Sequence, residues 1–262
     1  MYRTLDTAKI VETIDTLHQR ISERFPGAGL ARVCAELADI AHENTERLER
    51  IAKPNIWMRV ATGAVLVTGC ALLVVLGRIV LHLKSENTDL FGVLQGIEAS
   101  VNLLVVMGAA VFTLVTLESR WKRKQALDDL HELRSIVHVI DMHQLTKDPS
   151  AGSRVTPPTL SSPKRSLSGP ELVRYLDYCS EMLSLTAKVA ALYAQNSTDA
   201  AVLEAVNDLE RLTTNLSAKI WQKITIVQAT IAASAARAAA TGPLPAVAAV
   251  PEKKPEAASG GA

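Results

Sequence analysis

Several patterns that mark enzymes and extracellular domains are missing from this sequence. It has only three cysteines, Cys34, Cys70 and Cys179, and their wide separation argues against a disulfide framework and against a zinc site. The formal net charge is only +1, so no charge bias points to nucleic acid. There is no glycine-rich phosphate loop, nucleophile elbow, HExxH or CxxC, and no strand-like alternation. We therefore predict no enzyme, no cofactor and no small-molecule substrate.

Two long apolar stretches are present instead. Residues 60–76 and 101–117 each run 17 residues without a charge, and flanking turns extend both to the roughly 20 residues that cross a hydrocarbon core. Two buried helices of a soluble protein would need a large shell of amphipathic partners around them. We predict transmembrane helices at about residues 57–78 and 98–118, within a transmembrane hairpin formed by residues 54–121.

Positive charges flank both spans on one side, whereas the loop between them offers Lys84 beside Glu86 and Asp89. The flanking cations are Arg47, Arg50, Lys53, Arg59, Arg120, Lys122, Arg123 and Lys124. The positive-inside rule then predicts that both termini are cytoplasmic and that the loop is external. Trp57 and Trp121 fall at the same expected interface, where an indole can bury its ring and keep its N–H hydrated. The sequence thus predicts a multi-pass protein of the cell inner membrane, in contact with the lipid bilayer.

Four charges lie near the expected membrane edges. Arg59 and Arg78 are 19 residues apart, and Glu98 and Glu118 are 20 apart, so antiparallel spans would bring Arg59 near Glu118 and Arg78 near Glu98. Asn102, one turn after Glu98, is placed to share the donors of Arg78. The alternative is that each long side chain reaches water independently.

Residues 1–53 have the pattern of a cytoplasmic helical hairpin. Apolar residues fall on one stripe before a break at residues 25–29, and a second helix then carries a 4-3 repeat typical of a coiled-coil seam. Asn44 is the one polar position of this seam, and Thr4 or Thr7 is expected to cap the first helix. The stripe residues are Ile10, Ile14, Leu17 and Ile21, followed by Leu30, Cys34, Leu37, Ala41, Asn44, Leu48 and Ile51.

The chain beyond the second span alternates helices with polar segments. Nothing breaks the helix before Pro149, so we predict a cytoplasmic helical stalk over residues 122–147. Residues 148–169 and 237–262 are rich in proline, serine or alanine and are predicted to be a disordered linker and tail. A C-terminal helical hairpin is predicted for residues 170–236, including a near-heptad repeat from Val202 to Val227. The alanine-rich residues 224–240 lack the leucine density of the spans, which leaves their contact with the membrane open.

One group of polar residues on the predicted stalk contains side chains that can bind a metal or transfer a proton. His131, Arg134, His138 and Asp141 recur at i, i+3, i+7 and i+10, and so share a face of the helix. The two imidazoles are about 10 Å apart along the axis, too far to converge on one ion from a single helix. A metal or proton-linked role therefore stays a secondary hypothesis, and a polar face hydrogen-bonded to a partner helix is favoured.

Together these patterns predict an all-α membrane protein with two spans, whose two cytoplasmic helical hairpins and helical stalk pack into a helical bundle. The first functional hypothesis is a membrane-anchored helical scaffold or regulatory subunit that assembles as a homo-oligomer or with another membrane protein. The alternative is a small oligomeric channel, with Glu98, Ser100 and Asn102 near the pore mouth.

Overall fold

The computed structural model describes residues 4–52, 56–83, 90–147, 160 and 167–240. Within these residues the chain is entirely helical, and no strand occurs. The helices are α1 (Thr7–Arg24), α2 (Gly29–Ala52), α3 (Ile56–Leu83), α4 (Leu90–Leu145), α5 (Gly169–Asn196) and α6 (Ala200–Ala240).

Local sequence explains where α1 and α5 begin. Asp6 caps α1, because its carboxylate accepts from the backbone N–H of Lys9 at 3.3 Å, so the expected cap at Thr4 or Thr7 is wrong. A carboxylate also complements the positive end of the helix dipole better than a hydroxyl. At α5, the backbone N–H of Ser168 donates to Glu171 at 2.7 Å, and Pro170 occupies the first turn.

The turn between α1 and α2 contains the one described glycine with a positive φ. Gly27 has φ of +74°, a left-handed conformation that glycine adopts without a steric penalty. The turn reverses the chain, so that α2 packs back along α1. The predicted break at residues 25–29 is therefore confirmed in this part of the chain.

Five helices share one hydrophobic core. It is formed by buried side chains of α1, α2, α5 and α6 together with those of α4 from Ala126 to Ile140. α4 contacts α2, α5 and α6, while α1 contacts α2 and α5. The predicted packing of the N-terminal hairpin, the stalk and the C-terminal hairpin into one helical bundle is therefore confirmed for the described residues.

The bundle has two distinguishable ends. At the end near α3, which we call the proximal end, Arg123 pairs with Asp199 at 3.7 Å. At the opposite, distal end, Lys223 donates to the backbone carbonyl of Gln144 at 3.1 Å. Since α6 runs from the proximal to the distal end, its alanine-rich end after Lys223 lies away from α3.

α3 and the first half of α4 lie outside this core. Gly69 is the only buried residue among the described side chains of α3, and α4 has none before Ala126. The segments Ile56–Ile79 and Leu94–Leu145 contain stretches with mean hydropathy of 2.3 and 2.1. Both helices are long and apolar enough to cross a membrane.

The buried stripes follow the sequence periodicity closely. Leu30, Cys34, Leu37, Ala41, Asn44 and Leu48 of α2 are all buried, as are Val202, Val206, Leu209, Thr213, Leu216, Ile220 and Val227 of α6.

α6 continues to Ala240, beyond the expected end at residue 236. The expected break at residues 53–55, the loop at 84–89, nearly all of the linker and the tail from 241 lie outside the described residues.

Candidate functional site

A polar cluster in the core lies near the proximal end and joins three helices. Arg47 of α2 donates to Asp129 of α4 at 2.7 Å, and the hydroxyl of Tyr193 in α5 donates to the second oxygen of Asp129 at 2.9 Å. Arg47 also contacts Glu43 at 2.7 Å and Glu132 at 3.4 Å. The Asp129 side chain is only 3% exposed, and its buried charge is compensated by two charge-assisted hydrogen bonds.

The electrostatics of this cluster favour a charged Arg47 and a neutral Tyr193. The hydrogen bond with Asp129 raises the pKa of the Arg47 guanidinium above its ordinary value, although burial opposes it. Burial, followed by the negative charge of Asp129, raises the pKa of the Tyr193 hydroxyl. Tyr193 therefore remains a neutral donor and Arg47 a cation throughout the physiological pH range.

This cluster is not predicted from the sequence, in which Arg47 stands only as one of the charges that flank the first span. A signal was present, since Asp129 falls at helical spacing between Ala126 and Leu133, on the apolar stripe of α4. A carboxylate on such a stripe requires a partner. The partner could not be identified, because Arg47 and Tyr193 are 82 and 64 residues away.

Asn44 lies one turn before Arg47 and is 1% exposed. Neither its amide nitrogen nor its carbonyl oxygen has a hydrogen-bond partner among the residues that the structure describes. The predicted polar seam position is thus buried, at the cost of an unsatisfied amide. Such a residue favours one helix register, since a sliding helix would bring the amide against leucine side chains.

α3 and α4 pack closely where Gly69 meets Met107. A Cβ added at Gly69 would lie in the space that the Met107 sulfur occupies, which shows how closely the two helices approach. Arg78 follows Gly69 by nine residues and Glu98 precedes Met107 by nine. An antiparallel arrangement about this contact would therefore put Arg78 and Glu98 at the same level.

The predicted ion pairs at the membrane edges do not form in the described part of the chain. Arg78 and Glu98 are both exposed and share no ion pair, and Asn102 is exposed as well. Arg59 likewise has no ion pair with a described residue, and Glu118 contacts Lys122 of its own helix at 3.0 Å. In an antiparallel packing these charges would lie at matching levels, but within the described residues no ion pair joins them.

Trp57 and Trp121 stand on the two apolar helices close to the bundle. Trp57 is 83% exposed and Trp121 is 56% exposed. Trp57 precedes Gly69 by twelve residues, and Trp121 follows Met107 by fourteen. In an antiparallel packing the two indoles would lie within one turn of each other in height, as their predicted role at one interface requires.

The face that carries His131, Arg134, His138 and Asp141 points into solvent. The first three side chains are exposed, and Asp141 accepts a hydrogen bond from Gln144 of the same helix at 2.5 Å. Within the described residues no partner helix bonds to this face. No group of three or more histidine, cysteine, aspartate or glutamate side chains converges there or elsewhere in the described chain.

Two shallow grooves line the outside of the bundle. One, of about 540 Å³, runs between α1 and α2 and includes Glu12 and Asp15, with Asp15 3.3 Å from His42. The other, of about 410 Å³, lies at the distal end beside Tyr178, against whose ring the guanidinium of Arg20 packs at 5.4 Å. Arg20 is also neutralised by Glu181 at 3.0 Å. Both grooves are open, and neither has the enclosed apolar form of a small-molecule pocket.

Exposed apolar side chains of the bundle collect at its distal end. Met142 and Leu145 of α4 are 66% and 60% exposed, and Trp221 and Ile226 of α6 are 56% and 50% exposed. All four lie within three residues of the contact between Gln144 and Lys223. Concentrated apolar exposure of this kind is typical of surfaces that bind other proteins.

Comparison with protein-family models, curated proteins and solved structures finds no match for the chain.

Proposed function

We propose that the chain is an integral inner-membrane protein that acts as a helical scaffold or regulatory subunit and has no catalytic activity of its own. The continuity of α4 is the observation that carries this proposal. One helix exposes apolar side chains over its first half and supplies core residues of the bundle over its second half. Such a helix fixes the bundle rigidly to a membrane, because no flexible joint separates the two parts.

The two-span arrangement is supported by the contact between Gly69 and Met107. With only six residues between α3 and α4, we propose an antiparallel hairpin with both of its ends at the proximal face of the bundle. The basic residues at this face favour the cytoplasm. Both termini are then cytoplasmic, and the bundle lies against the inner leaflet.

Thiol labelling in cells tests the anchor and its orientation. In a chain whose three cysteines are replaced, an impermeant maleimide should label Asn87→Cys from outside and Glu204→Cys only after permeabilisation. Glu204 is exposed on α6 and serves as the matched bundle position. The reverse pattern would invert the topology, and release of the protein by alkaline carbonate washing would rule out an integral anchor.

Oxidative crosslinking tests the hairpin. Gly69→Cys with Met107→Cys should form an intramolecular disulfide in membranes, because the two positions are in contact. Gly69→Cys with Gly108→Cys is the control, since a Cβ at Gly108 would meet nothing within 4 Å. Equal crosslinking of both pairs would show that α3 and α4 do not keep this register.

The partner surface of the scaffold is proposed to be the distal end. A photo-crosslinking residue at position 221 or 226 should yield a discrete adduct with a second copy or with another membrane protein. The control position is Leu5, which is 40% exposed but belongs to the proximal end. Adducts only at position 5, or at none of the three, would argue against this surface.

One observation favours the second candidate function, an oligomeric channel. Glu98 and Asn102 are polar, exposed and one turn apart in the largely apolar first half of α4, and such residues normally face a partner helix or a water-filled pore. Planar-bilayer recordings of the purified chain test it. Conductance that Glu98→Gln alters in its ion selectivity would support the channel, and silence at every voltage would support the scaffold.

A further inference from the structure

The basic residues where the apolar helices meet the bundle fall into two groups. Lys122 pairs with Glu118 at 3.0 Å, and Arg123 pairs with Asp199 at 3.7 Å. Among the described residues, the side chains of Arg120 and Lys124 have no ion pair or hydrogen bond, although they belong to the same short run. Two of these four positive charges are thus paired with carboxylates, and the other two have no carboxylate partner among the described residues.

The unpaired cations share one face of α4. Arg120 and Lys124 are four residues apart, so their side chains emerge one above the other. Like charges at this spacing destabilise a helix unless an anion lies between them. Arg59, which is also exposed and has no partner in the described chain, adds a third cation about one turn higher if α3 and α4 are antiparallel.

Apolar surface borders these charges on the same face. Leu117 and Trp121 are 52% and 56% exposed and stand at positions that alternate with Arg120 and Lys124 along the stripe. A ligand that covers both groups needs an anionic part near the bundle and an apolar part towards the spans. Inorganic phosphate offers the first part and lacks the second.

We propose that Arg120 and Lys124 form a binding site for the headgroup phosphate of an anionic phospholipid, whose acyl chains pack beside Leu117 and Trp121. This inference rests on the proposed membrane anchor and names the lipid that the anchor selects. Arginine can bind the phosphodiester oxygens bidentately and lysine adds a second charge, whereas the choline of a zwitterionic lipid brings a cation to the same place.

Native mass spectrometry of the full chain in mild detergent tests the site. Bound lipid is counted after titration with phosphatidylglycerol or with phosphatidylcholine of the same acyl chains. The variant Arg120→Gln with Lys124→Gln should lose roughly 25-fold in preference for phosphatidylglycerol, since each basic side chain near an anionic leaflet contributes about fivefold. The control, Arg211→Gln with Lys219→Gln, removes two exposed cations of α6 and should retain the preference.

Other outcomes of these experiments would overturn the lipid site or the membrane anchor. Equal retention of both lipids by the unmodified chain would overturn the proposal, as would an unchanged preference in the Arg120 and Lys124 variant. Displacement of phosphatidylglycerol by equimolar inorganic phosphate would show that the site binds a free anion. A chain that resists carbonate extraction yet fails these tests loses only the lipid site, whereas one that is extracted loses the membrane anchor.

Discussion

The two halves of α4 belong to one uninterrupted helix, but their apolar side chains meet different surroundings. Leu104 and Phe112 in the first half are 49% and 72% exposed, whereas Leu133, Val137 and Ile140 in the second half are completely buried. Among the described residues no side chain of α4 before Ala126 is buried, whereas the second half contributes to the core that it shares with α2, α5 and α6. A helix with only one neighbour leaves most of its surface uncovered, so its apolar half is suited to a lipid environment.

The two halves of α4 also differ in where their charged side chains lie. The first half carries Glu98 and Glu118 near its ends, outside the charge-free stretch between them. The second half buries Asp129 in the core but surrounds it with donors from two other helices. Charged side chains are therefore absent from the centre of the first half, whereas the buried charge of the second half is compensated by hydrogen-bond donors.

The largest expected effect tests whether the proximal cluster holds the bundle together. Arg47→Ala leaves the Asp129 carboxylate buried without its cation, so we expect the free energy of unfolding to fall by about 3–5 kcal/mol. Urea titration in detergent can follow the reactivity of Cys34 and Cys179 in a Cys70→Ser background. Burial raises the pKa of both thiols to about 12, so they react mainly when the bundle opens.

His42→Ala provides the matched control for that change. His42 and Asp15 also link two helices, at 3.3 Å, but their side chains are 58% and 44% exposed. An exposed pair contributes about 0–1 kcal/mol. If Arg47→Ala lowered the free energy of unfolding no more than His42→Ala does, the buried cluster would not be what holds the three helices together.

The second prediction compares the halves of α4 with the same substitution. Leu133→Ala removes a completely buried side chain and should destabilise the bundle by about 2–5 kcal/mol. Leu104→Ala shortens an exposed side chain of the same helix and should leave the thiol reactivity curve unchanged. Equal losses from the two variants would mean that the first half of α4 is part of the folded core.

The fold was predictable where hydrophobic periodicity is strong. The 4-3 repeat from Leu30 to Leu48 identified the buried face of α2, including Asn44, and the repeat from Val202 to Val227 identified that of α6. The helix break near Gly27 followed from local chemistry. That three predicted segments share one core was only anticipated in outline, because periodicity gives the face of a helix and not its neighbour.

The candidate site was predictable only in part. Helix length and charge asymmetry predict that Trp57, Trp121 and the basic run at residues 120–124 lie at one level, and this stays a prediction. Which cations are compensated could not be predicted, since Asp199 reaches Arg123 only after α5 and α6 have folded against α4. The same limit applies to Asp129, whose partners are far away in sequence.

A smaller effect is expected from Tyr193→Phe. This change removes one of the two hydrogen bonds to Asp129 and preserves the ring, so we expect a loss of about 1.5–3 kcal/mol. The loss should largely disappear when Asp129 is also replaced by Asn, because the bond owes its strength to the carboxylate charge. A double-mutant cycle with the same urea titration measures that coupling, and additive losses would show that the hydroxyl acts independently of Asp129.

The smallest effect concerns His143, at the distal end of α4. Its ring packs against the first residue of α2, so closely that a Cβ added at Gly29 would lie 2.6 Å from Cε1. Burial, and then the positive charges of Lys147 and Arg32, lower the pKa of His143 below its ordinary value of 6.5. The positive end of the α2 dipole disfavours the imidazolium as well.

Because the folded chain binds a proton at His143 less readily than the unfolded chain, bundle stability should rise with pH across this titration. The contribution is fully present above about pH 6.5 and is lost as the pH falls through the lowered pKa of the folded state. His143→Gln keeps a polar side chain of similar length but cannot titrate, so the variant should lose part of the stability difference between pH 7.5 and pH 5. Urea unfolding followed by circular dichroism at both pH values gives this difference, because thiol reactivity itself changes with pH. If stability depended more steeply on pH in the variant, the imidazolium would be stabilised in the folded bundle. That result would contradict the expected effect of the cations around His143, which distinguish the distal end from the carboxylate-rich cluster at the proximal end.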